Sequence, residues 1–437
     1  MTNLIREIAG PGDLRHLHRE HPTRYPFLLQ STAPGGSLGR FDILFASPGD
    51  ALVAGDTPGF LDALDERWRA ARISPEQRSL PFLGGWFLYL GYELAGQIET
   101  GLRLAEDPVL PAAFAVRCPA ALIYDHENST CHLVCETPDS IDREQVLADI
   151  DALDRDTPDA IARVVSVDEE QATTFTDAVV KVKELIAGGD VYQANLSRQW
   201  AAMVSPGINA NDIYAALCRS NPGPFAGIAR WQDIEIISSS PERLLQVRDG
   251  TASTRPIAGT RPRSEDAGTD ENLSAELFAH PKERAEHVML IDLGRNDLGR
   301  VCDAGTVEVN ESMILESYAH VHHIVSNVQG RLRADVTPGQ AIAAVFPGGT
   351  ITGCPKVRCM EIISQLERGP RGAYTGSFGY LNRDGSLDLN ILIRTMVKQN
   401  DSVTFRAGSG IVADSDPVAE LDETRAKAEG MLRAISR

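Results

Sequence analysis

The chain has 437 residues, a formal net charge of −19 at pH 7 and a sequence pI of about 5.0. This acidic balance excludes nucleic acid and anionic membrane surfaces as partners, because the summed field repels both. Its hydrophobic share of 43% is ordinary for a globular protein. Because no signal-peptide pattern and no apolar run of membrane-spanning length occurs, we expect a cytoplasmic protein.

The seven cysteines are scattered along the chain, and none forms a C-x-x-C pair. This spacing argues against a zinc ribbon and against a redox-active dithiol. We therefore expect reduced thiols.

The N-terminal part predicts short strands and helices separated by Gly/Pro turns. FDILFASP (41–48) and AALIYD (120–125) have the apolar character of strands, whereas LDALDERWRAAR (61–72) has helical periodicity. We interpret this part as an N-terminal subdomain over residues 1–140.

Residues 141–172 are acidic and interrupted by Pro158, and we interpret them as a solvated linker rather than a surface helix. After them the signals become sharper. FTDAVVKVKELIAGGD (175–190) predicts a helix that ends at Gly-Gly, and VYQANLSRQW (191–200) predicts a strand. A second domain is therefore predicted over residues 173–437.

Within that domain, IEIISSSPERLLQV (234–247) predicts a strand, a turn and a second strand. HPKERAEHVMLIDLGRND (280–297) predicts a helix with Pro281 in its first turn. A final helix follows Asp416, which is a good N-cap residue before a proline.

Two glutamate pairs, Glu283/Glu286 and Glu420/Glu423, share the same three-residue spacing on predicted helices. Positions i and i+3 lie on one helix face, so each pair can direct two carboxylates to one point. Carboxylates suit Mg2+, which keeps open positions for an anionic substrate. The alternative interpretation of the second pair is a solvated face with a Glu423–Lys427 ion pair.

A glycine-rich turn, FPGGTITGCPKVRCMEII (346–363), precedes a predicted helix. It is not a Walker loop, because Cys-Pro separates the last glycine from Lys356. A backbone nest for a carboxylate or oxyanion, with Thr350 as a hydroxyl donor, remains open.

Three histidines occur in HVHHIVS (320–326). On a strand, His320 and His322 share one face and His323 points to the other. His323 is either a satisfied core residue or a general base.

Two further charged residues interrupt apolar surroundings. Glu242 in SSSPER (238–243) is either a surface charge or a buried acid with a raised pKa. Arg394 in ILIRTMV (391–397) is predicted inside an apolar strand, where it needs a carboxylate partner or an anionic ligand.

In these segments the chain resembles the chorismate-utilising enzymes. The resemblance rests on ten ordered motifs, namely DVYQANLSR (190–198), SSSPERLL (238–245), RPIAGTRPR (255–263), ERAEHVMLIDLGRNDLGRV (283–301), VHHIVS (321–326), FPGGTITGCPKVR (346–358), AYTGSFGY (373–380), ILIRT (391–395), GSGIVADSDP (408–417) and AELDETRAKA (419–428). It implies an α+β fold of large, layered antiparallel sheets wrapped by helices. The active site is expected in the cleft between the sheets, and residues 173–437 would be the chorismate-binding catalytic domain.

The resemblance also implies a Mg2+ cofactor that grips the ring carboxylate of chorismate. Glu286 and Glu423 match the metal ligands. Glu283 and Glu420 match nearby acidic positions that act through water or orient the site.

For the substrate, the resemblance implies that Arg394 and Tyr374 hold the enolpyruvyl carboxylate. Lys427 and the backbone near Gly410 would help to hold the ring carboxylate. Glu242 matches the acid that helps the C4 hydroxyl depart. The family also has an acid–base histidine.

That histidine corresponds to His323. Family members that use water carry a Lys where this chain has Gln193, and Gln cannot activate water. The resemblance therefore implies ammonia as the nucleophile, supplied by a separate glutamine amidotransferase subunit.

Different parts of the sequence resemble two branches of the family that make different products. In RPIAGTRPR, Ala258 and Gly259 lie at substrate-binding positions, and aminodeoxychorismate synthases usually have a Lys at position 258 that adds covalently to ring carbon 2. Ala258 cannot do so, and Thr350 also resembles the anthranilate branch.

Against this, residues 26–48 and 84–96 resemble the aminodeoxychorismate branch. LLQS (28–31) resembles the place where family members hold tryptophan, with Ser31 as a contact. The likeness over the whole chain favours synthesis of 4-amino-4-deoxychorismate, on the way to 4-aminobenzoate and folate. Anthranilate synthesis, with elimination of pyruvate, is the alternative, and a non-catalytic tryptophan-binding subunit is a third.

Overall fold

The computed structural model shows two large antiparallel sheets stacked face to face, with helices on their outer sides. The residues described are 4–32, 39–55, 59–74, 79–153, 159–264, 266–317 and 321–436. His320 lies outside them.

The strands have lengths from two to twelve residues. In chain order they are β1 (Leu4–Ile8), β2 (Phe27–Gln30), β3 (Phe41–Ala46), β4 (Ala51–Val53), β5 (Gly85–Leu90), β6 (Ala113–Cys118), β7 (Ala120–Asp125), β8 (Thr130–Cys135), β9 (Val164–Glu169), β10 (Gln193–Val204), β11 (Phe225–Trp231), β12 (Ile234–Ser240), β13 (Arg243–Arg248), β14 (Thr251–Arg255), β15 (Ile257–Pro262), β16 (Glu308–Ser317), β17 (Val321–Arg331), β18 (Gly353–Cys354), β19 (Ser377–Asn382), β20 (Leu387–Asn390), β21 (Thr395–Gln399) and β22 (Ser402–Ile411).

The helices range from one turn to about five turns. They are α1 (Arg15–Glu20), α2 (Phe60–Ala71), α3 (Ala95–Ile98), α4 (Arg143–Asp151), α5 (Ala172–Ala187), α6 (Ala210–Ser220), α7 (Ala267–Ala279), α8 (Pro281–Gly299), α9 (Pro338–Val345), α10 (Lys356–Leu366) and α11 (Pro417–Ser436). The predicted helices and strands named above agree with these bounds to within a few residues, apart from the strand around Arg394.

Strands from distant parts of the chain alternate in both sheets. The first sheet has the order β1-β8-β7-β3-β2-β11-β12-β21-β22-β10-β18, with β9 also paired to β10. The second has the order β15-β17-β14-β13-β20-β19-β5-β6-β4, with β16 also paired to β17. The division at residues 140 and 173 stays a prediction, and the segment between them carries α4 and β9.

Aromatic side chains join the facing surfaces of the two sheets. Phe27 on β2 stacks on Phe87 of β5 with ring centroids 4.0 Å apart, and Phe114 of β6 stacks on Trp231 of β11 at 4.1 Å. These rings belong to one buried cluster built from both sheets. The predicted layered α+β architecture is confirmed.

The outer face of each sheet is covered by helices. On the first sheet, α6 and α11 bury Ile213, Leu217, Met431 and Ile435, which recur at helical spacing. On the second, α2 and α9 bury a separate cluster. In the described part of the chain, no helix is both long and apolar enough to cross a bilayer, and the seven cysteines are free thiols.

Candidate active site

Two crossovers between the sheets lie side by side and position the first two candidate residues. The chain leaves β12 and enters β13 through Glu242, and it returns from β20 to β21 through Arg394. The amide of Ile391 donates to the Glu242 carbonyl at 3.0 Å, and that of Ser239 donates to the Arg394 carbonyl at 3.1 Å. The predicted strand around Arg394 is therefore wrong, since the residue has a φ of 53° and the strand begins only after the chain has changed sheets.

Glu242 is buried at this junction, with an exposed fraction of 4%. Burial raises the pKa of its carboxyl to about 7, while the Thr350 hydroxyl and the amide of Ile257 oppose that rise. A large fraction of the carboxyl is therefore protonated near neutral pH. Such a group can donate a proton to a leaving hydroxyl.

Gly259 joins His323 to Glu283 on the side of the second sheet. His323 Nδ1 lies 3.4 Å from the Gly259 carbonyl oxygen. Gly259 has a φ of 71°, and a Cβ there would overlap the Glu283 carboxylate. Burial lowers the pKa of His323 to about 4, with Arg394 among the smaller causes, so the ring is neutral at pH 7.

The helix α8 carries the first glutamate pair along this wall. Glu283 pairs with Arg261 at 2.7 Å through one oxygen, while its other oxygen, Oε2, is buried and has no hydrogen-bond partner among the described residues. Glu286 is half-buried almost one turn further on. Next to Glu286 in the sequence, His287 is fixed by a 2.6 Å hydrogen bond to Ser326 of β17, which sets the rotation of the helix on the sheet.

The opposite wall belongs to the first sheet and contains Gln193. Its side chain is buried and packs against Gly410 of β22, where an added Cβ would overlap Gln193 Nε2. Within the part of the chain that the structure describes, neither Gln193 Oε1 nor Oδ1 of Asn195, two residues along the same strand, has a hydrogen-bond partner. Two buried amide oxygens on one strand face are thus unsatisfied.

Tyr374, Lys427 and Arg394 meet beside this strand. Lys427 Nζ donates to the Gly408 carbonyl at 3.0 Å and pairs with Glu423 at 2.7 Å, as the helical spacing predicts. The Arg394 guanidinium donates to the Lys427 carbonyl, and Tyr374 Oη lies against Gly408. Two cationic side chains and a tyrosine hydroxyl are thus brought together beside β10.

The second glutamate pair lies on α11. Glu420 is buried and accepts a hydrogen bond from Ser409, whereas Glu423 is half exposed beside Lys427. Among the residues that the structure describes, no three His, Cys, Asp or Glu side chains converge in a ready metal cluster. The two pairs lie on helices that pack against different sheets.

Two other predicted residues complete this region. Ala258 is a buried residue of β15, and its methyl side chain carries no reactive group. Thr350 lies in a short 3-10 turn, and its buried hydroxyl lacks a fully formed hydrogen bond. Lys356 pairs with Asp297 at 2.6 Å, so it holds the turn in place and is not directed at a phosphate.

Ser31 lies apart from these residues, in a separate cavity of about 1080 Å3 that Leu29, Phe225 and Asn390 also line. Its hydroxyl is buried and has no hydrogen-bond partner among the residues that the structure describes. The structure therefore does not bring Ser31 together with the other candidate residues.

Sequence reasoning missed the residues that support this site from behind. Arg371 and Glu367 form a buried pair next to Tyr374, and Glu93 contacts the same loop from the N-terminal part of the chain. A charged residue before Ala-Tyr in the AYTGSFGY motif was the only signal for Arg371, and nothing local marks Glu93.

Comparison with known proteins gives one consistent result. The chorismate binding enzyme family matches residues 26–433. An anthranilate synthase component I-like protein from Synechocystis sp. is 43% identical over 82% of this chain and 73% of its own length. Aminodeoxychorismate synthase component 1 from Bacillus subtilis is 40% identical over 81% of this chain and 77% of its own. A crystal structure of anthranilate synthase component I from Streptococcus pneumoniae superimposes with a TM-score of 0.79 at 31% identity, covering 91% of this chain and 93% of that one.

Proposed function

The chain belongs to the chorismate binding enzymes, and from this premise we propose that it aminates chorismate with ammonia to give 4-amino-4-deoxychorismate. The main support for amination is the presence of Gln193 at this position. Its amide, packed against Gly410, is neutral and cannot deprotonate water. An amide oxygen without a partner suits an N–H donor such as incoming ammonia.

In this proposal Glu242 is the acid that protonates the departing C4 hydroxyl. Its burial and raised pKa support that role, because the proton is still present near pH 7. His323 is neutral at the same pH and would accept a proton on the other side of the cleft. The Thr350 hydroxyl, beside Glu242, would orient the reacting carboxyl.

Charge complementarity supports a dianionic substrate. Arg394 and Tyr374 would hold the enolpyruvyl carboxylate, and Lys427 with the backbone near Gly410 would hold the ring carboxylate. Burial lowers the pKa of Arg394, which reflects a guanidinium short of anionic partners. A bound carboxylate would supply one.

The residues also fit a Mg2+ ion. Glu283 Oε2 is a buried acceptor without a partner, and Glu286, Glu423 and Glu420 add further carboxylates of the type that Mg2+ prefers. When bound, the ion would withdraw electron density through the ring carboxylate. Arg261 and Lys427, which neutralise two of these glutamates, would then release them or share them.

The proposed product rests on the N-terminal likeness to the aminodeoxychorismate branch. A second candidate, anthranilate with release of pyruvate, is favoured by Ala258, because no amine stands at that position to add to ring carbon 2. In either case we propose a glutamine amidotransferase subunit as the source of ammonia and a cytoplasmic location.

We also propose that the cavity beside Ser31 holds an amino acid of the size of tryptophan. The unpaired Ser31 hydroxyl and the apolar walls at Leu29 and Phe225 support an amphipathic ligand. A purely tryptophan-binding, non-catalytic chain is the weaker alternative, since the acid at Glu242 and the cations of the cleft are in place.

The test uses purified chain, chorismate, Mg2+ and excess ammonium at alkaline pH, with products separated by mass and retention time. Formation of 4-amino-4-deoxychorismate, convertible to 4-aminobenzoate by an added lyase, would support the proposal. Anthranilate with pyruvate would establish the second candidate. Isochorismate, or no turnover that depends on Mg2+, would refute amination.

A further inference from the structure

Arg371 and Glu367 form an ion pair that is removed from water directly behind the candidate site. The exposed fractions of their side chains are only 1% and 4%, and the two groups are 2.6 Å apart. Burying two charges is costly unless geometry and additional hydrogen bonds compensate. Here the compensation is complete on the arginine side.

All five N–H groups of Arg371 are used. Nε and Nη2 donate to the two Glu367 oxygens at 2.9 and 2.6 Å. The second Nη2 proton goes to the Asn195 carbonyl at 2.8 Å, and Nη1 donates to the Ile351 carbonyl at 3.0 Å and to Thr375 Oγ1 at 3.3 Å. The guanidinium therefore joins its own loop to two other segments, 20 and 176 residues away.

The three acceptors other than the Glu367 carboxylate each lie within two residues of a candidate site residue. Ile351 follows Thr350, Thr375 follows Tyr374, and Asn195 lies two residues after Gln193 on the same face of β10. The Arg371 guanidinium also lies over the ring of Tyr374, 5.5 Å from its centroid. A displacement of this one group would move three walls of the site.

The N-terminal part of the chain clamps the same arginine. The guanidinium also lies over the ring of Tyr92, 4.9 Å from its centroid. The neighbouring Glu93 accepts hydrogen bonds from the amides of Arg371 at 2.8 Å and Gly372 at 3.2 Å. Both the side chain and the backbone of Arg371 are thus fixed by contacts from outside its own loop.

We propose that Arg371 is a positioning residue for chorismate amination, which sets Gln193, Thr350 and Tyr374 relative to one another without touching the substrate. This inference rests on the proposed function for the reaction that Arg371 supports. The hydrogen bonds around Arg371 do not depend on that function. A lysine could not replace the arginine, because an ammonium offers three donors around a point and not five in one plane.

The test compares Arg371→Lys with Arg117→Lys as a matched control. Arg117 also stacks on an aromatic ring, pairs with a buried glutamate and donates to a backbone carbonyl, but it lies on β6 away from the cleft. Melting temperatures, kcat, and KM for chorismate and ammonium would be measured for both variants and the wild type.

We expect kcat of Arg371→Lys to fall roughly ten- to a hundredfold at a temperature where the protein is fully folded, because the reacting groups would be misplaced. Arg117→Lys should keep kcat while losing similar thermal stability. Hydrogen exchange should also rise at the amides of residues 349–354 and 372–376 in Arg371→Lys only. Unchanged kcat together with unchanged exchange at these amides would overturn the proposal.

The experiment also covers two cases in which the first comparison fails. If Arg371→Lys does not fold, Thr375→Val removes one of the five acceptors, and a smaller fall in kcat with faster exchange at residues 372–376 is expected. If the wild type does not aminate chorismate, the proposed function fails. The exchange data then decide separately whether Arg371 orders the walls of the cleft.

Discussion

The cluster around Arg371 and the cleft wall in front of it contain similar polar groups, but their hydrogen bonding differs. Behind the wall, Glu367 accepts from the amide and hydroxyl of Ser197 and pairs with Arg406 as well as Arg371. On the two walls of the cleft, a buried oxygen of Gln193 and one of Glu283 have no hydrogen-bond partner within the described part of the chain. Unpaired buried groups cost free energy, so they persist where a ligand can pair with them and a rigid support holds them in place.

The largest expected effect concerns the wall. Glu242→Gln should lower turnover about 10²- to 10⁴-fold, because the amide cannot donate the proton that the leaving hydroxyl needs. In the wild type, kcat/KM at constant free ammonia should fall as pH rises through about 7, where the Glu242 carboxyl loses its proton. Glu235→Gln, on the preceding strand β12 and paired with Lys398, is the control. An active Glu242→Gln enzyme with the wild-type pH profile would contradict the assignment.

The next largest effect concerns the buried ion pairs of Glu367 behind the cleft. Glu367→Gln should destabilise the fold by about 3–5 kcal/mol, because Arg371 and Arg406 lose their shared counter-charge while buried. Urea unfolding would measure it. Glu184→Gln removes the exposed pair with Lys181 and should cost well under about 1 kcal/mol. Equal losses in the two variants would mean that the cluster does not stabilise the fold as inferred.

A smaller change would disturb the wall without touching its support. In Gly410→Ala the new methyl group overlaps Gln193 Nε2, so that side chain must swing away while the strands stay paired. We expect amination to fall about tenfold with little change in melting temperature. Gly299→Ala, where the methyl group would meet open space, should leave both unchanged. A Gly410→Ala enzyme with full activity would show that the Gln193 amide is dispensable.

The smallest effect should appear in the pH dependence of stability. Burial raises the pKa of Glu93 to about 7, so the folded state binds a proton that the unfolded chain releases at lower pH. Stability from this group is therefore highest below its unfolded pKa and falls as pH rises through about 7. Glu93→Gln should flatten that decline by on the order of 1 kcal/mol between pH 5 and pH 8, as measured by urea unfolding. Parallel curves for the two proteins would contradict it.

Local patterns predicted the elements but not the tertiary pairings that complete the site. The period of α11 placed Glu423 and Lys427 one turn apart, and the ion pair forms. The turn at Arg394 was hidden, because an apolar run has the same composition whether it continues a strand or crosses between sheets. Arg371 could not be assigned a role from its sequence, since its acceptors come from segments up to 176 residues away.

The alternation of early and late strands has a consequence during synthesis. The hairpin of β5 and β6 leaves one edge of the fully apolar, buried β5 open until β19 pairs with it, roughly 290 residues later. At typical elongation rates this interval lasts roughly 15–60 s. The nascent chain must therefore carry an unprotected, aggregation-prone strand through most of its translation, and its yield in a cell should depend on the chaperones that meet it at the ribosome.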